Sequence, residues 1–456
     1  MGVIDSILLN LPEVSAPKQK RLSFKEKLKW TLIVLILFFV LGLIELYGLG
    51  AAPLRNFEFL SVILGASFGS IISLGIGPIV TASIVLQLLN GSGLMKFDLT
   101  THEGKQRFQG LQKLLSIAFI IFEAGIFVML GGLSPAAGIP PLVLIFQLIL
   151  GGFLILFMDE IVSKWGFGSG ISLFIAAGVA QHIFVRAFSP FKLGSEFSAG
   201  AIPALFQALG AQNTTEATLR IASMAATIVM FAIVVYAQSM KVEIPLSFGR
   251  IRGHGIRWPL SFMYTSVIPV ILIAAFMANI QLFASILGRY GYPLGNPQTG
   301  SGLIGYLSVP GGQSGLIGLI IRQGTIFIGW EPYAKATVYM LFFLGGAVLF
   351  SWFWVQTAGL DARSQAKQMM ASGLQIPGFR RDERVLERML ERYIKPLTIM
   401  GGIAIGFLAA LADLSGALTS GTGLLLTVSI VYKLYEEIAQ QHVMDMNPMM
   451  RKFMGK

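Results

Sequence analysis

The sequence has no cysteine, few charged residues and only four histidines. Without cysteine, the chain can form neither disulfide bonds nor thiolate metal sites. Charged residues make up 12% of its 456 residues, and 54% are hydrophobic. Soluble domains carry about 25% charged residues. Together with a mean hydropathy of +0.73, this composition predicts a protein that crosses a membrane several times.

Motifs of the common enzyme classes are also missing. There is no G-x-x-x-x-G-K-[ST] phosphate loop, and His102-Glu103 lacks the second histidine of a metalloprotease site. The predicted spans contain no paired carboxylates, Ser–Lys pair or histidine cluster. We therefore expect no enzyme activity, no catalytic residues, no metal and no cofactor.

Long apolar runs recur along the chain, and a helix needs about 20 such residues to cross a bilayer. No cleavage site of small residues precedes the first run, so we expect no cleavable signal. We predict ten spans, at residues 30–49, 57–91, 113–131, 140–162, 168–188, 219–239, 258–282, 335–356, 395–412 and 421–438.

Lysine and arginine are distributed unevenly between the predicted loops. With both termini in the cytosol, 27 of the 34 basic residues fall on the inner side. The positive-inside rule therefore predicts a multi-pass protein of the cell membrane with both termini cytosolic. The basic residues that remain outside are Arg55, Arg186, Lys192, Arg220, Arg289, Arg322 and Lys335.

The second predicted span, residues 57–91, is interrupted by glycines and Pro78. Phe57 to Gly65 predicts a half-helix and Ile76 to Leu89 a helix, with a glycine-rich joint between them. Non-helical backbone at membrane depth survives only where protein buries it or a polar cavity wets it. The spacing alone favours a simple kink and a pathway through the protein equally.

Five segments of the sequence carry a resemblance to one family: LGIGPIVTASIVLQLL (74–89), WGFGSGISLFIAAG (165–178), YTSVIPVILIAAFMANIQL (264–282), GLDARSQAKQM (359–369) and GALTSGTGLLLTVSIVYKLYE (416–436). They resemble the SecY family, the pore subunits of the protein-conducting channel, in its archaeal and eukaryotic form. The chain has SVIP at 266–269 where that family is expected to have SNIP. The resemblance implies an all-α membrane protein of ten transmembrane helices, in two inverted five-helix halves around a central pore, with a short plug half-helix.

Carried over residue by residue, the resemblance implies three sets of functional residues. The apolar pore ring consists of Ile76, Val80, Ile171, Ile175, Ile271 and Leu426. The plug includes Phe57, Phe59, Leu60, Val62, Ile63 and Leu64. The lateral gate, through which apolar segments leave the pore, carries Thr81, Glu123 and Asn279. A carboxylate at mid-span is a functional candidate, and for Glu123 we favour a hydrogen bond to Asn279 or Thr81 over a proton-carrying role.

Two predicted cytosolic loops, 240–257 and 357–394, are rich in arginine. Arg250 and Arg252 lie on a glycine-flanked turn, and Arg380 and Arg381 precede an amphipathic helix. The positive-inside rule alone accounts for these residues. However, the guanidinium fork suits phosphate recognition, and ribosomal RNA offers phosphates. We therefore consider all four arginines candidates for docking a ribosome.

The resemblance also implies the domains, partners and activity. The halves are 1–188, with the plug at about 57–67, and 219–438; 189–218 is an external connection and 439–456 a cytosolic tail. The implied channel translocates unfolded secretory polypeptides and releases apolar segments into lipid. Its implied partners are a SecE-like single-span clamp subunit, a small third Sec subunit, the ribosome, nascent secretory and membrane polypeptides, and membrane lipid.

The alternative is a secondary transporter with a broken-helix substrate site. Such a site is expected to group several ionisable or polar residues near mid-membrane. Glu123 is nearly alone there, because the other acidic residues of the spans lie toward span ends. Those residues are Glu45, Asp159, Glu160 and Asp413.

Overall fold

The structure is a computed structural model that divides into two compact units. The first comprises residues 1–180 and 430–456, and the second residues 181–429. The residues that the structure describes are 11–18, 22–50, 69–91, 94–95, 97, 102–129, 133–192, 196–248, 255–265, 268–289, 302–311, 314–371, 374–375 and 383–446.

Helices form most of the described chain. They are α1 (Phe24–Leu43), α2 (Gly77–Gly91), α3 (His102–Met129), α4 (Pro141–Trp165), α5 (Gly170–Phe188), α6 (Ala201–Gly210), α7 (Thr214–Ser239), α8 (Ile268–Arg289), α9 (Gly302–Gly305), α10 (Gly315–Gln323), α11 (Trp330–Thr357), α12 (Ala362–Ala371), α13 (Glu383–Ser415) and α14 (Gly421–Met446). The strands are β1 (Lys241–Phe248), β2 (Gly255–Ser261) and β3 (Leu374–Gln375).

Six stretches within the described residues are long and apolar enough to cross a membrane, and each overlaps a predicted span. The helical class and the multi-pass character are therefore confirmed, whereas the count of ten spans stays a prediction. The six are Gln106–Met129, Pro141–Trp165, Gly170–Phe188, Thr214–Ser239, Trp330–Met370 and Glu383–Ser415.

In the first unit, α4 lies at the centre of the packing. Both α1 and α3 pack against it, and α2 packs against α3. A Cβ added at Gly151 of α4 would overlap the carbonyl oxygen of Ile71, and one added at Gly152 would lie 2.6 Å from Cγ2 of Ile120. Small residues allow such close approach in membrane proteins. Through Gly151, α4 supports the turn that precedes α2.

Replacing Gly151 by alanine is expected to destabilise this unit, because overpacking typically costs about 1–3 kcal/mol. Gly125 of α3 provides a matched control, since an added Cβ there meets nothing within 4 Å. Thermal unfolding of the purified proteins should give Gly151→Ala a lower midpoint than both Gly125→Ala and the parent. Equal midpoints for the two variants would mean that the turn at Ile71 can shift away from the added methyl group at no cost in stability.

The first helix ends earlier than predicted. Its predicted span reached residue 49, but α1 ends at Leu43 and the chain continues as extended backbone. The N–H of Leu46 donates to the carbonyl oxygen of Gly69 (2.8 Å), and the N–H of Ile71 donates to that of Ile44 (2.9 Å). Pairing with a distant segment therefore takes over these residues. The predicted glycine joint is a turn at 69–76, and the predicted half-helix at 57–65 lies outside the described residues.

In the second unit, one predicted span begins later than expected, and one predicted connection contains helices. The span predicted at 258–282 begins only at Ile268, because Trp258 to Ser261 belong to β2 and pair with β1. A short apolar run cannot be assigned to helix or strand from its periodicity alone. The predicted external connection, 189–218, contains the helix α6 and the first turn of α7.

The two predicted cytosolic loops form one layer rather than two separate connections. β1 and β2 make an antiparallel hairpin from Lys241↔Ser261 to Ser247↔Gly255. β3, from the second loop, joins β1 at Ser247↔Gln375 and Phe248↔Leu374. The all-α fold expected from the sequence did not include this small sheet.

A hydrophobic core fixes this sheet to the helices that follow it. Leu386, Leu390 and Ile394 recur at every fourth position of α13, so they share one helix face. This face packs against residues of the sheet and of α12, among them Ile244, Leu260, Ala366 and Met369. α13 is one helix from Glu383 to Ser415, with Pro396 inside it, whereas the prediction placed an amphipathic helix before a separate span at 395–412.

Candidate functional site

The first two pore-ring candidates lie where the turn at 69–76 becomes α2. The N–H of Val80 donates to the carbonyl oxygen of Ile76 at 3.0 Å, so the two residues are one helical turn apart. Ile76 is 1% exposed and Val80 is half-buried. Since Gly151 supports the turn, the packing of α4 indirectly positions both side chains.

The second pair, Ile171 and Ile175, lies in the first turns of α5, and a carboxylate holds that end of the helix. Oδ1 of Asp159 accepts the N–H of Ile171 at 2.9 Å. The same carboxylate lies beside the N–H of Gly170 and the hydroxyl of Ser169. A Cβ at Gly170 would lie 2.6 Å from the Cα of Asp159, so glycine permits this close approach.

Leu426, the candidate in α14, follows a helix end built in a similar way. Oδ1 of Asp413 accepts the N–H of Gly421 at 2.7 Å, and Oδ2 accepts the hydroxyl of Tyr339 at 2.9 Å. A Cβ at Gly421 would overlap the carbonyl oxygen of Ala409. The remaining candidate, Ile271, is half-buried in α8.

These two helix ends share a design that the sequence analysis missed. In each, an aspartate near the end of one long helix caps the first turn of the next, at a glycine that allows contact. Negative charge stabilises a helix N-terminus, and hydrogen bonds offset the cost of burying a carboxylate. The available sequence signal was an aspartate followed by the glycine that opens a span, at Asp159 and Gly170 and again at Asp413 and Gly421.

Two polar contacts join α2 to α3 in the first unit. The hydroxyl of Thr81 lies beside the carboxyl group of Glu123, and the hydrogen bond favoured for this residue from the sequence stays a prediction. Close by along the same helices, Nε2 of Gln112 donates to Oγ of Ser83 at 2.5 Å. Asn279 belongs to α8, but its side chain lies outside the described residues. The role of these residues as a lateral gate stays a prediction.

Two predicted sets lie outside the described residues, although the elements next to the second are described. The plug residues are Phe57, Phe59, Leu60, Val62, Ile63 and Leu64, and the docking arginines are Arg250, Arg252, Arg380 and Arg381. The strands β1 and β2 flank Arg250 and Arg252. The strand β3 precedes Arg380 and Arg381, and α13 follows them. The three-stranded sheet therefore carries both arginine segments.

Comparison with known proteins gives a consistent result. A family model described as SecY matches residues 70–435. The protein translocase subunit SecY of Methanothermobacter thermautotrophicus is 47% identical over 455 residues, which cover 98% of this chain and 97% of the relative.

Two solved structures resemble the whole chain. A SecY structure, described by the role of its plug domain in stabilising the closed translocation channel and maintaining a membrane seal, matches with a TM-score of 0.77 and 44% identity. The match covers 96% of this chain and 97% of that one. Sec61 in the canine ribosome–channel complex from the endoplasmic reticulum matches with a TM-score of 0.75 and 42% identity, at the same coverage.

Proposed function

This chain belongs to the SecY family and is a subunit of a protein translocase; we propose that it lines the channel, moves unfolded secretory polypeptides across the cell membrane and releases apolar segments sideways into lipid. The observation that carries the proposal is the pair of aspartate-capped helices. Each positions one set of apolar pore-ring candidates at a fixed depth in its unit.

The capped helices support ten spans in two inverted halves. α5 and α14 are the last spans of the proposed halves, 1–188 and 219–438. Each begins at a carboxylate from the span before it, with glycine at the contact. Inverted repeats place equivalent features at equivalent positions of the two halves. The recurrence of this cap is therefore what such a repeat predicts.

The proposed seal is a ring of six branched apolar side chains. Ile76, Val80, Ile171 and Ile175 come from the first half, and Ile271 and Leu426 from the second. An apolar constriction dewets and so blocks ions, yet it holds a passing chain only by weak, non-directional contacts. The plug would add a second barrier on one side of the ring.

The proposed lateral gate uses the polar contacts of α2. The side chains of Thr81 and Glu123 lie next to each other, so a hydrogen bond between them would tie α2 to α3 on one side of the seam. Asn279, on α8, would face them from the other side. Hydrogen bonds within membranes average only about 0.6 kcal/mol, so these contacts would bias closure without locking it.

Asn279→Leu and Glu123→Gln are each expected to change the hydrophobicity at which a test segment enters lipid. Removing a polar contact alters the balance between the closed and open seam, while polar secretory chains should still cross. The measurement is a series of segments with increasing leucine content, scored for integration against translocation. Thr227→Val is a matched control, because this hydroxyl holds the N–H of Leu418 in a loop instead (2.9 Å). An unchanged threshold in both gate variants would remove these residues from the gate.

The proposed motor is the ribosome, which would dock on the sheet. β3 joins β1, so both arginine segments leave one rigid layer backed by the core of α12 and α13. The likeness to ribosome-bound canine Sec61 supports this assignment. The further proposed partners are a SecE-like clamp subunit, a small third subunit and the lipid itself. In this topology both termini are cytosolic.

The transporter alternative finds little support in the acidic residues. Within the described residues, no group of three or more His, Asp or Glu side chains converges. Glu123 instead lies beside a hydroxyl on the neighbouring helix, while Asp159 and Asp413 cap helices. By its family, the chain is a channel subunit rather than an enzyme.

A further inference from the structure

A basic cavity of about 220 Å³ lies in the second unit, and none of its described lining residues is a pore-ring or gate candidate. The end of α5, the second turn of α7, the helix α10 and the turn after α13 form its walls. Three arginines from three of these segments line it: Arg186, Arg220 and Arg322. None of its described lining residues is acidic. We call it the arginine cavity.

Each of the three guanidinium groups is held by a neighbouring group. Arg220 pairs with Glu216 one turn earlier, at 2.6 Å. Arg186 donates to the carbonyl oxygen of Leu418 at 3.3 Å, and Arg322 donates to Oγ of Ser314 at 3.4 Å. Arg186 and Arg220 are half-buried, and Arg322 is exposed.

The walls of the cavity are built by tight backbone contacts. Gly315 and Gly416 both have positive φ, at 62° and 70°. A Cβ at Gly315 would lie 2.5 Å from the carbonyl oxygen of Leu414, and one at Gly416 would overlap that of Ser314. The N–H of Leu418 is also fastened to Oγ1 of Thr227 at 2.9 Å. The cavity is therefore preformed and does not arise from loose loops.

The charge is also unusual for its place in the sequence. Only seven of the 34 basic residues fall on the proposed outer side, and three of those seven line this one cavity. The positive-inside rule disfavours cations there, so their concentration at one point indicates a specific use. Between the lining residues Arg220 and Ala222, Ile221 exposes 53% of its surface, which is expected where lipid covers a helix.

We propose that the arginine cavity binds a phosphate group, carried by a membrane lipid or free in solution. Guanidinium groups bind phosphate oxygens in pairs, and charge-assisted hydrogen bonds of this kind are among the strongest in proteins. A water molecule occupies about 30 Å³ of liquid, so the cavity is large enough for a phosphate group with a few waters. This site shares no described lining residue with the pore ring.

The test compares Arg322→Gln with Lys192→Gln, in the full chain purified with its copurifying partners. Both changes remove one exposed cation from the proposed outer side, but Lys192 does not line the cavity. Arg322 lies at the mouth, so its replacement should leave the fold intact. Arg186→Gln serves as a second cavity variant.

One arm titrates inorganic phosphate into nanodiscs of phosphatidylcholine, with binding followed by calorimetry. The other counts the phosphatidylglycerol molecules retained in native mass spectra after purification from a mixed bilayer. The cavity variants should lose about tenfold in affinity or one retained lipid, because a hydrogen bond to a charged group contributes about 1.5–3 kcal/mol, whereas Lys192→Gln should match the parent.

The two arms distinguish the source of the phosphate. Loss in the lipid arm alone assigns a headgroup, loss in the phosphate arm alone assigns a free anion, and loss in both means that the cavity accepts either. If the cavity variants bind as the Lys192 control does in both arms, or if the parent binds neither ligand, the proposal is overturned.

Discussion

Serine at Ile76, Ile171 and Ile271 is expected to make the resting channel conduct ions without any substrate. In the proposed ring, apolar side chains would exclude ions by repelling water, so a hydroxyl at three of the six positions would let water through. Single-channel recording in planar bilayers should show frequent openings in the triple variant, where the parent stays closed.

The control removes the same amount of apolar surface elsewhere. Ile36, Ile121 and Ile228 are 62%, 50% and 68% exposed on α1, α3 and α7, so their serine variants should stay silent. Ile76 is buried, and its loss alone costs packing. The double variant Ile171→Ser with Ile271→Ser, both half-buried positions, therefore keeps the test valid if the triple variant folds poorly. Silence in both ring variants would mean that the ring is assigned to the wrong residues.

Reversing Arg250, Arg252 and Arg380 to glutamate is expected to weaken ribosome binding on the order of a thousandfold. A hydrogen bond to a charged group contributes about 1.5–3 kcal/mol, and each 1.4 kcal/mol is about tenfold in affinity. Binding of the parent should also fall steeply with added salt, because counterions are released from the RNA. Co-sedimentation with ribosomes over a salt series measures both effects.

The matched control reverses three exposed cations on neighbouring helices: Arg363, Lys367 and Arg388. It changes the net charge equally but leaves residues 249–254 and 376–382 intact. If binding does not depend on salt, or if both triple variants lose affinity equally, the arginines do not dock the ribosome and serve only to set the membrane topology.

The sequence predicted the position of a span correctly where the span is one continuous helix. The predicted span 168–188 is α5, Gly170–Phe188, since length and hydropathy suffice there. The predicted helix from Ile76 to Leu89 is α2, Gly77–Gly91, because the glycines and Pro78 mark its start.

Features that depend on distant backbone pairing could not be read in this way. α1 ends at Leu43 because residues 44–46 pair with 69–71. The apolar Trp258 and Leu260 form a strand because β1 offers a partner. The local sequence of neither segment indicates which distant segment it pairs with. The apolar run that contains Trp258 and Leu260 was therefore predicted to be helical.

The site shows the same division. Family resemblance could assign Ile76 or Asn279, because those positions belong to long matching segments. The roles of Asp159 and Asp413 depend on which helix end packs beside each carboxylate. The arginine cavity brings together Arg186, Arg220 and Arg322 from three separate segments. Only packing reveals such groupings, and charge counts treated these arginines as isolated outer cations.

The central claim is that a translocating polypeptide passes through the ring. Site-specific photo-crosslinking tests it most directly, with a photoreactive amino acid at Ile271 or Leu426 and a secretory chain stalled midway on its ribosome. The proposed function predicts crosslinks from both positions to the stalled chain, and none from a probe at the exposed Ile228 of α7. Crosslinks that are absent from both ring positions, or as strong from Ile228, would contradict it.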